Sequence, residues 1–143
     1  MKTVALLAGI VAFVTCAVHA AEEKTTTPSR LVGTWTGKMM NPKGSIHGIE
    51  TTVTFAQDTG SGRITGTVRF KNLDLNVQAT GEIDRVSVES DTVRFVVKFH
   101  GGAPGVDGTE GQFKLRFETP DSLAGDGQRE QSYLFWRMNR AQQ

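Results

Sequence analysis

The sequence predicts an all-β fold, an eight-stranded antiparallel up-and-down barrel, with a two-sheet β-sandwich as the alternative. Three observations carry this. Apolar and polar residues alternate with period two along almost the whole chain after residue 30, which is the pattern of strands with one dry and one wet face. Turn-forming clusters punctuate the runs at short, regular spacing,. No segment has helical periodicity. Eight short strands sharing one apolar face must deal with their edges. Hairpin-length links favour closure into a barrel over the crossings of a sandwich.

The runs fall near 31–40, 47–57, 62–71, 73–83, 92–100, 111–119, 122–127 and 130–138. The second places His47, Ile49, Thr51, Val53 and Phe55 on one face. Asp58-Thr59-Gly60-Ser61-Gly62 links it to the third, where Ile64, Gly66, Val68 and Phe70 alternate with polar residues. Lys71-Asn72 reads as a tight link to the fourth, with Leu73, Leu75, Val77, Ala79, Gly81 and Ile83 inward. Parity slips between Ile83 and Val86, so a turn or β-bulge belongs near Asp84-Arg85. A short run at 85–89 is either separate or a continuation. Glu89-Ser90-Asp91 turns into Val93, Phe95, Val97 and Phe99. The longest loop, His100 to Glu110, is glycine-rich. Phe113, Leu115 and Phe117 follow, then a turn at Pro120-Asp121-Ser122. The last strand has apolar groups on both faces: Tyr133 and Phe135 on one, Leu134, Trp136 and Met138 on the other. Such a strand implies a cover on its outside. The N-terminal segment, a second subunit or another protein would serve.

The first twenty residues read as an address. Lys2 precedes the uncharged apolar run Val4 to Val14, and Val18-His19-Ala20 presents small or short residues at the −3 and −1 positions of a cut after Ala20. This is the layout of a secretory signal peptide, and the run is shorter than the ~20 residues a bilayer span needs. Lipidation at Cys16 is disfavoured by the aromatic Phe13 and by Thr15 ahead of it. The expected organisation is therefore a signal peptide (1–20), a flexible polar tether (21–30) and one barrel domain (31–140). The expected destination is the periplasm or the exterior of the cell, with no membrane span after signal removal. Cys16 is the only cysteine, so the exported chain would have no thiol nucleophile, disulfide or thiolate metal site. Formal net charge is +1, and loss of Lys2 balances it, which argues against a nucleic-acid partner. An outer-membrane barrel also alternates, but one tyrosine and two tryptophans are too few for aromatic girdles.

Gly33-Thr34-Trp35 opens the first strand, ahead of the alternating runs. This resembles the calycin group of lipocalin-like barrels, which includes lipocalins, fatty-acid-binding proteins and avidins. The resemblance implies that Trp35 packs at the closed end beneath an arginine of the last strand. Arg137 is the first candidate and Arg140 the second, and a guanidinium over an indole is favourable by roughly 0.5–2 kcal/mol. Departures narrow the likeness. The helix pair of the fatty-acid-binding proteins has no room between residues 41 and 46. Gly62 to Thr67 is similar to an avidin hairpin, but Gly37 and Val68 stand where avidins place polar ligand residues, so biotin binding is not implied.

Little chemistry is on offer. No nucleophile motif surrounds His47 or His100, and they have no metal-ligand spacing. Asp107 and Glu110 are too few oxygens for a calcium loop. The Gly101–Gly105 stretch lacks the lysine and helix of a phosphate cradle. No catalytic residue, metal or cofactor is assigned. The inward candidates for ligand contact are His47, Thr51, Phe55, Phe70, Phe95, Phe99 and Phe113; Trp35 and Arg137 are assigned structural roles. Whether the aromatic groups line a pocket or fill the barrel is open at this stage, because an eight-stranded barrel has room for either. The leading expectation is an exported lipocalin-like protein that binds an apolar or amphipathic small molecule. The alternative is a non-catalytic interaction module, an inhibitor or envelope-assembly factor, contacting a protein partner or itself through residues 133–138. A barrel isomerase or cyclase is third.

Overall fold

A computed structural model describes residues 30–44 and 46–142. The expected signal peptide, cleavage site, Cys16 and nearly all of the expected tether lie outside the described residues. The described chain forms eight strands: β1 (Gly33–Met40), β2 (Ile49–Gln57), β3 (Ile64–Asn72), β4 (Val77–Glu89), β5 (Thr92–Gly101), β6 (Glu110–Thr119), β7 (Ser122–Arg129) and β8 (Ser132–Arg140). Each pairs antiparallel with its sequence neighbour, and β8 returns to β1, so the sheet is a closed up-and-down barrel. Closure runs from Trp35 opposite Arg140 to Met40 opposite Phe135. The expected fold class is the observed one.

Alternation sets the two faces. Inward positions carry an apolar core that includes Trp35, Val53, Phe55, Val68, Phe95, Leu115, Trp136 and Met138, all essentially inaccessible. Outward positions carry threonine, lysine, arginine and glutamate, the reverse of a lipid-facing barrel wall. Trp136 is ringed by Phe70, Phe95 and Phe113 with centroids 5.0–5.9 Å away. Two glycines of β7 permit this close packing, Gly125 against the β6 backbone and Gly127 against a ring. Gly125 and Gly127 face inward opposite Trp136 and Leu134, and a Cβ on Gly127 would collide with the Phe113 ring. The interior is thus filled with rings through its middle.

Several local expectations hold and several are corrected. The parity slip is a bulge: register shifts between Asp84 and Ser87, with Arg85 at φ 51°, and 85–89 continues β4. The tight link at Lys71-Asn72 is instead a turn over residues 73–76. The Asn72 carboxamide oxygen accepts from the N–H groups of Asp74 and Leu75 (3.0 and 3.1 Å), and Asn76 sits at φ 48°. Leu73 and Leu75 therefore lie on an exposed turn, not on the inward face. On the last strand Leu134, Trp136 and Met138 point in, while Tyr133 and Phe135 point out and are exposed.

Candidate functional site

The two ends of the barrel are built differently, and only one is open. The closed end gathers Leu31, Trp35 and Phe117 beneath Arg140. The Trp35 indole N–H donates to the Leu31 carbonyl at 2.9 Å. The Arg140 guanidinium lies 4.3 Å from the Trp35 ring and donates to the carbonyls of Val32 (3.0 Å) and Arg30 and to the Asp121 carboxylate (3.0 Å). Arg137, the first candidate for this role, points outward instead and pairs with Glu118 at 3.2 Å. The reason is parity: Trp136 and Met138 take the inward positions, so Arg137 must face solvent, and the arginine that reaches the indole is Arg140.

At the open end, residues of seven strands and three connections surround an apolar cleft of about 90 Å³. Its walls are Met39, Ile49, Phe70, Ala79, Phe99 and Leu134, and its rim is Leu75, Val77 and Val106 with Asn41 and Asn72. Phe70 and Phe99 stack with centroids 5.3 Å apart. Among the described residues, Arg129 is the one charged side chain in the lining. It donates to the Gly105 carbonyl at 3.0 Å and to the Thr109 hydroxyl at 3.4 Å, with its guanidinium 5.8 Å from the Phe99 ring. It thereby fixes the 102–109 loop against the mouth. That loop is further held by Asp107, which accepts from the Gly101 N–H at 2.8 Å.

The inward candidates divide. Phe70 and Phe99 line the cleft. Phe55, Phe95 and Phe113 are buried in the packed core below it. Thr51 is buried, and its hydroxyl donates to the Ile49 carbonyl at 3.0 Å. His47 is corrected: it precedes β2, and its side chain is 66% exposed. Gly48 at φ 79° breaks the strand after it, so the parity that put His47 inside does not extend that far. Its ring pairs with the Asp74 carboxylate, and its N–H donates to the same group at 3.3 Å. This contact ties the β1–β2 loop to the β3–β4 turn. His47 and Thr51 therefore do not share the barrel interior. Arg129 was not singled out from the sequence, where a lone arginine at a strand end carries no signal.

A second concavity, broad and open, lies on the outer wall over β1 to β5. Thr36, Thr52 and Thr80 floor it, and Lys38, Arg69, Lys71 and His100 stand around it. Near the last strand, the Tyr133 hydroxyl donates to Asp126 at 2.8 Å. That bond raises the phenol pKa above its usual value, because ionising the phenol forfeits it,.

These features define a closed β-barrel with a ring-packed interior, one plugged end and a small apolar cleft at the other. Among solved structures the chain is similar to a redesigned beta barrel at TM-score 0.62 and 19% identity, covering 81% of this chain and 96% of that one. It is also similar to mFAP1, a redesigned beta barrel bound to DFHBI, at TM-score 0.56 and 14% identity, covering 80% and 98%. At these identities the likeness is one of fold. No family model matches the chain, and no curated protein matches it.

Proposed function

We propose that this protein is an exported, lipocalin-like binder of a small amphipathic molecule, taken up by its apolar end at the open mouth of the barrel. The observation that carries this reading is the cleft itself. It is a concave apolar site with one cation and two carboxamides at its rim, the composition expected of a small-molecule pocket. Its size limits the guest. An engineered cavity of roughly 150 Å³ takes benzene, so about 90 Å³ admits a short alkyl terminus rather than a whole hydrophobic molecule. The remainder of the guest would lie along the rim, where Arg129 favours an anionic head group. The fold likeness to a barrel bound to DFHBI supports small-molecule binding in this architecture. Trp35 beneath Arg140 supports the lipocalin-like assignment, and the Lys2, Val4 to Val14 and Ala20 pattern supports export to the periplasm or beyond.

The test is calorimetric titration of the protein with a series of fatty acids of increasing chain length. Saturable one-site binding, weakened by Arg129→Gln, is expected. Absence of saturable binding at every chain length would overturn the reading. A second reading, an interaction module, is favoured by one observation: Met40 and Phe135 are adjacent on the outer wall, both exposed, with Tyr133 beside them. Sedimentation velocity over a concentration series tests it, with a Phe135→Ser variant as the control that abolishes any dimer.

A further inference from the structure

We infer that the open end of the barrel docks onto an anionic lipid surface, through the tips of the β1–β2 loop and the β3–β4 turn. This reading concerns the loop tips, which meet the cleft only at Leu75, and does not depend on the function proposed above. Two independent features meet there. The first is apolar. Every exposed large hydrophobic side chain among the described residues (Met40, Ile46, Leu73, Leu75, Tyr133 and Phe135) belongs to the open end. Three of them are on adjacent tips: Ile46 is 81% exposed, Leu75 59% and Leu73 40%. The His47–Asp74 contact joins these two tips into one projection.

The second feature is charge. Lys43 on the β1–β2 loop, Lys38 on β1, and Arg69 and Lys71 on β3 stand directly behind the tips. None of the four makes an ion pair among the described residues. Elsewhere Arg30, Arg63, Arg85, Arg94, Arg137 and Arg140 each have a carboxylate partner, while Lys98, Lys114 and Arg116 on the outer wall likewise make no ion pair among the described residues. Even Glu50, which sits between Lys38 and Lys71 in register, pairs with neither. Aliphatic tips backed by unpaired cations match an interface whose outer layer is anionic and whose next layer is hydrocarbon. A protein groove would present pockets for the tips but has no need of four uncommitted cations behind them. Contact without spanning also fits strands whose outward wall is polar. A barrel seated this way opens its cleft at the layer in which amphipathic molecules reside.

The experiment is hydrogen–deuterium exchange on the full chain with phosphatidylcholine vesicles, with and without phosphatidylglycerol. A local readout is needed because the Val4 to Val14 run would itself partition into lipid. Vesicles containing phosphatidylglycerol are expected to protect amides of 43–48 and 73–76 and to leave 58–63, at the opposite end, unchanged. The Ile46→Ser/Leu73→Ser variant, which leaves the residues lining the cleft intact, should lose that protection while keeping its fatty-acid titration. Lys43→Gln and Lys71→Gln should each raise the lipid concentration for half-protection about fivefold, on anionic vesicles only. Unchanged exchange at both tips, or equal protection in the double serine variant, would overturn the inference. So would protection that grows with protein concentration in the absence of lipid, which would assign the tips to a second copy of the chain.

Discussion

The two ends of this barrel use the same kinds of residue for opposite purposes. At the closed end an aromatic ring, two arginines and short turns are combined so that their polar groups find partners: Trp35 on Leu31, Arg140 on Val32, Arg30 and Asp121, Arg30 on Asp91. At the open end the aromatic pair Phe70 and Phe99 leaves a gap, the arginine secures a loop rather than a plug, and aliphatic groups stand exposed. The difference teaches where the sequence places stability and where it places contact with something else. Satisfied, buried groups hold the cylinder shut, whereas a cluster of exposed apolar groups marks a site of contact.

Substitution at each end should separate these roles. Trp35→Ala removes the largest buried side chain of the closed end and is expected to cost about 3–5 kcal/mol through lost transfer energy and a residual cavity. Leu75→Ala at the open end, on an exposed turn, should change stability by less than about 0.5 kcal/mol. Chemical denaturation followed by circular dichroism measures both. Equal costs would mean that the open end is as rigidly packed as the plug.

A finer comparison sets two arginines of one strand against each other. Arg140→Ala removes the indole contact and leaves two carbonyls and Asp121 without their donor, so a loss of about 2 kcal/mol is expected. Arg137→Ala breaks an exposed ion pair and should cost under about 0.5 kcal/mol. The same denaturation series reads both. A larger effect at Arg137 would restore the assignment first drawn from the Phe135-Trp136-Arg137 sequence.

At the cleft the expected effect is on binding. Ala79→Leu should fill much of the cleft lined by Phe70 and Phe99 and lower affinity for a bound alkyl chain by about tenfold, since each tenfold step corresponds to 1.4 kcal/mol. Its unfolding midpoint should move little, because the site has free volume to receive the added carbons. Calorimetry and denaturation on the same sample check both halves. Unchanged affinity would place the guest elsewhere, the broad outer concavity over Thr52 and Arg69 being the next place to look.

Much of this architecture is legible in the residues, and the failures have physical reasons. Period-two alternation identifies strands because a pleated chain has no other way to bury one face. It cannot locate a turn whose residues continue the same alternation. Leu73-Asp74-Leu75-Asn76 reads as strand, yet Asn72 offers its side chain to the N–H groups that a ladder would otherwise use,. Parity does decide between Arg137 and Arg140 once Trp136 and Met138 are taken as inward. The ambiguity came from a last strand apolar on both faces, which hides its own phase. The cleft is the least legible feature. Met39, Ala79, Val106 and Arg129 come from four separate parts of the chain, and only closure of the barrel brings them together.

The smallest effect sharpens the comparison from the closed end. Two exposed carboxyls there have pKa values held below the ordinary 3.8. Asp58 is lowered chiefly by the Ser61 N–H, then by the Ser61 hydroxyl and the Gly60 N–H. Asp84 is lowered chiefly by the Arg85 N–H at the bulge, then by the Arg63 guanidinium. A carboxyl whose folded pKa is depressed stabilises the fold above its unfolded value, and that contribution is lost as pH falls through the folded one. Acid should therefore loosen the 58–63 hairpin and its tie to the β4 bulge before it disturbs the cleft, whose lining has no carboxylate among the described residues. Unfolding midpoints taken between about pH 5 and pH 2 should decline, and Asp58→Asn with Asp84→Asn should flatten part of that decline. A slope unaffected by the double variant would locate the acid sensitivity elsewhere.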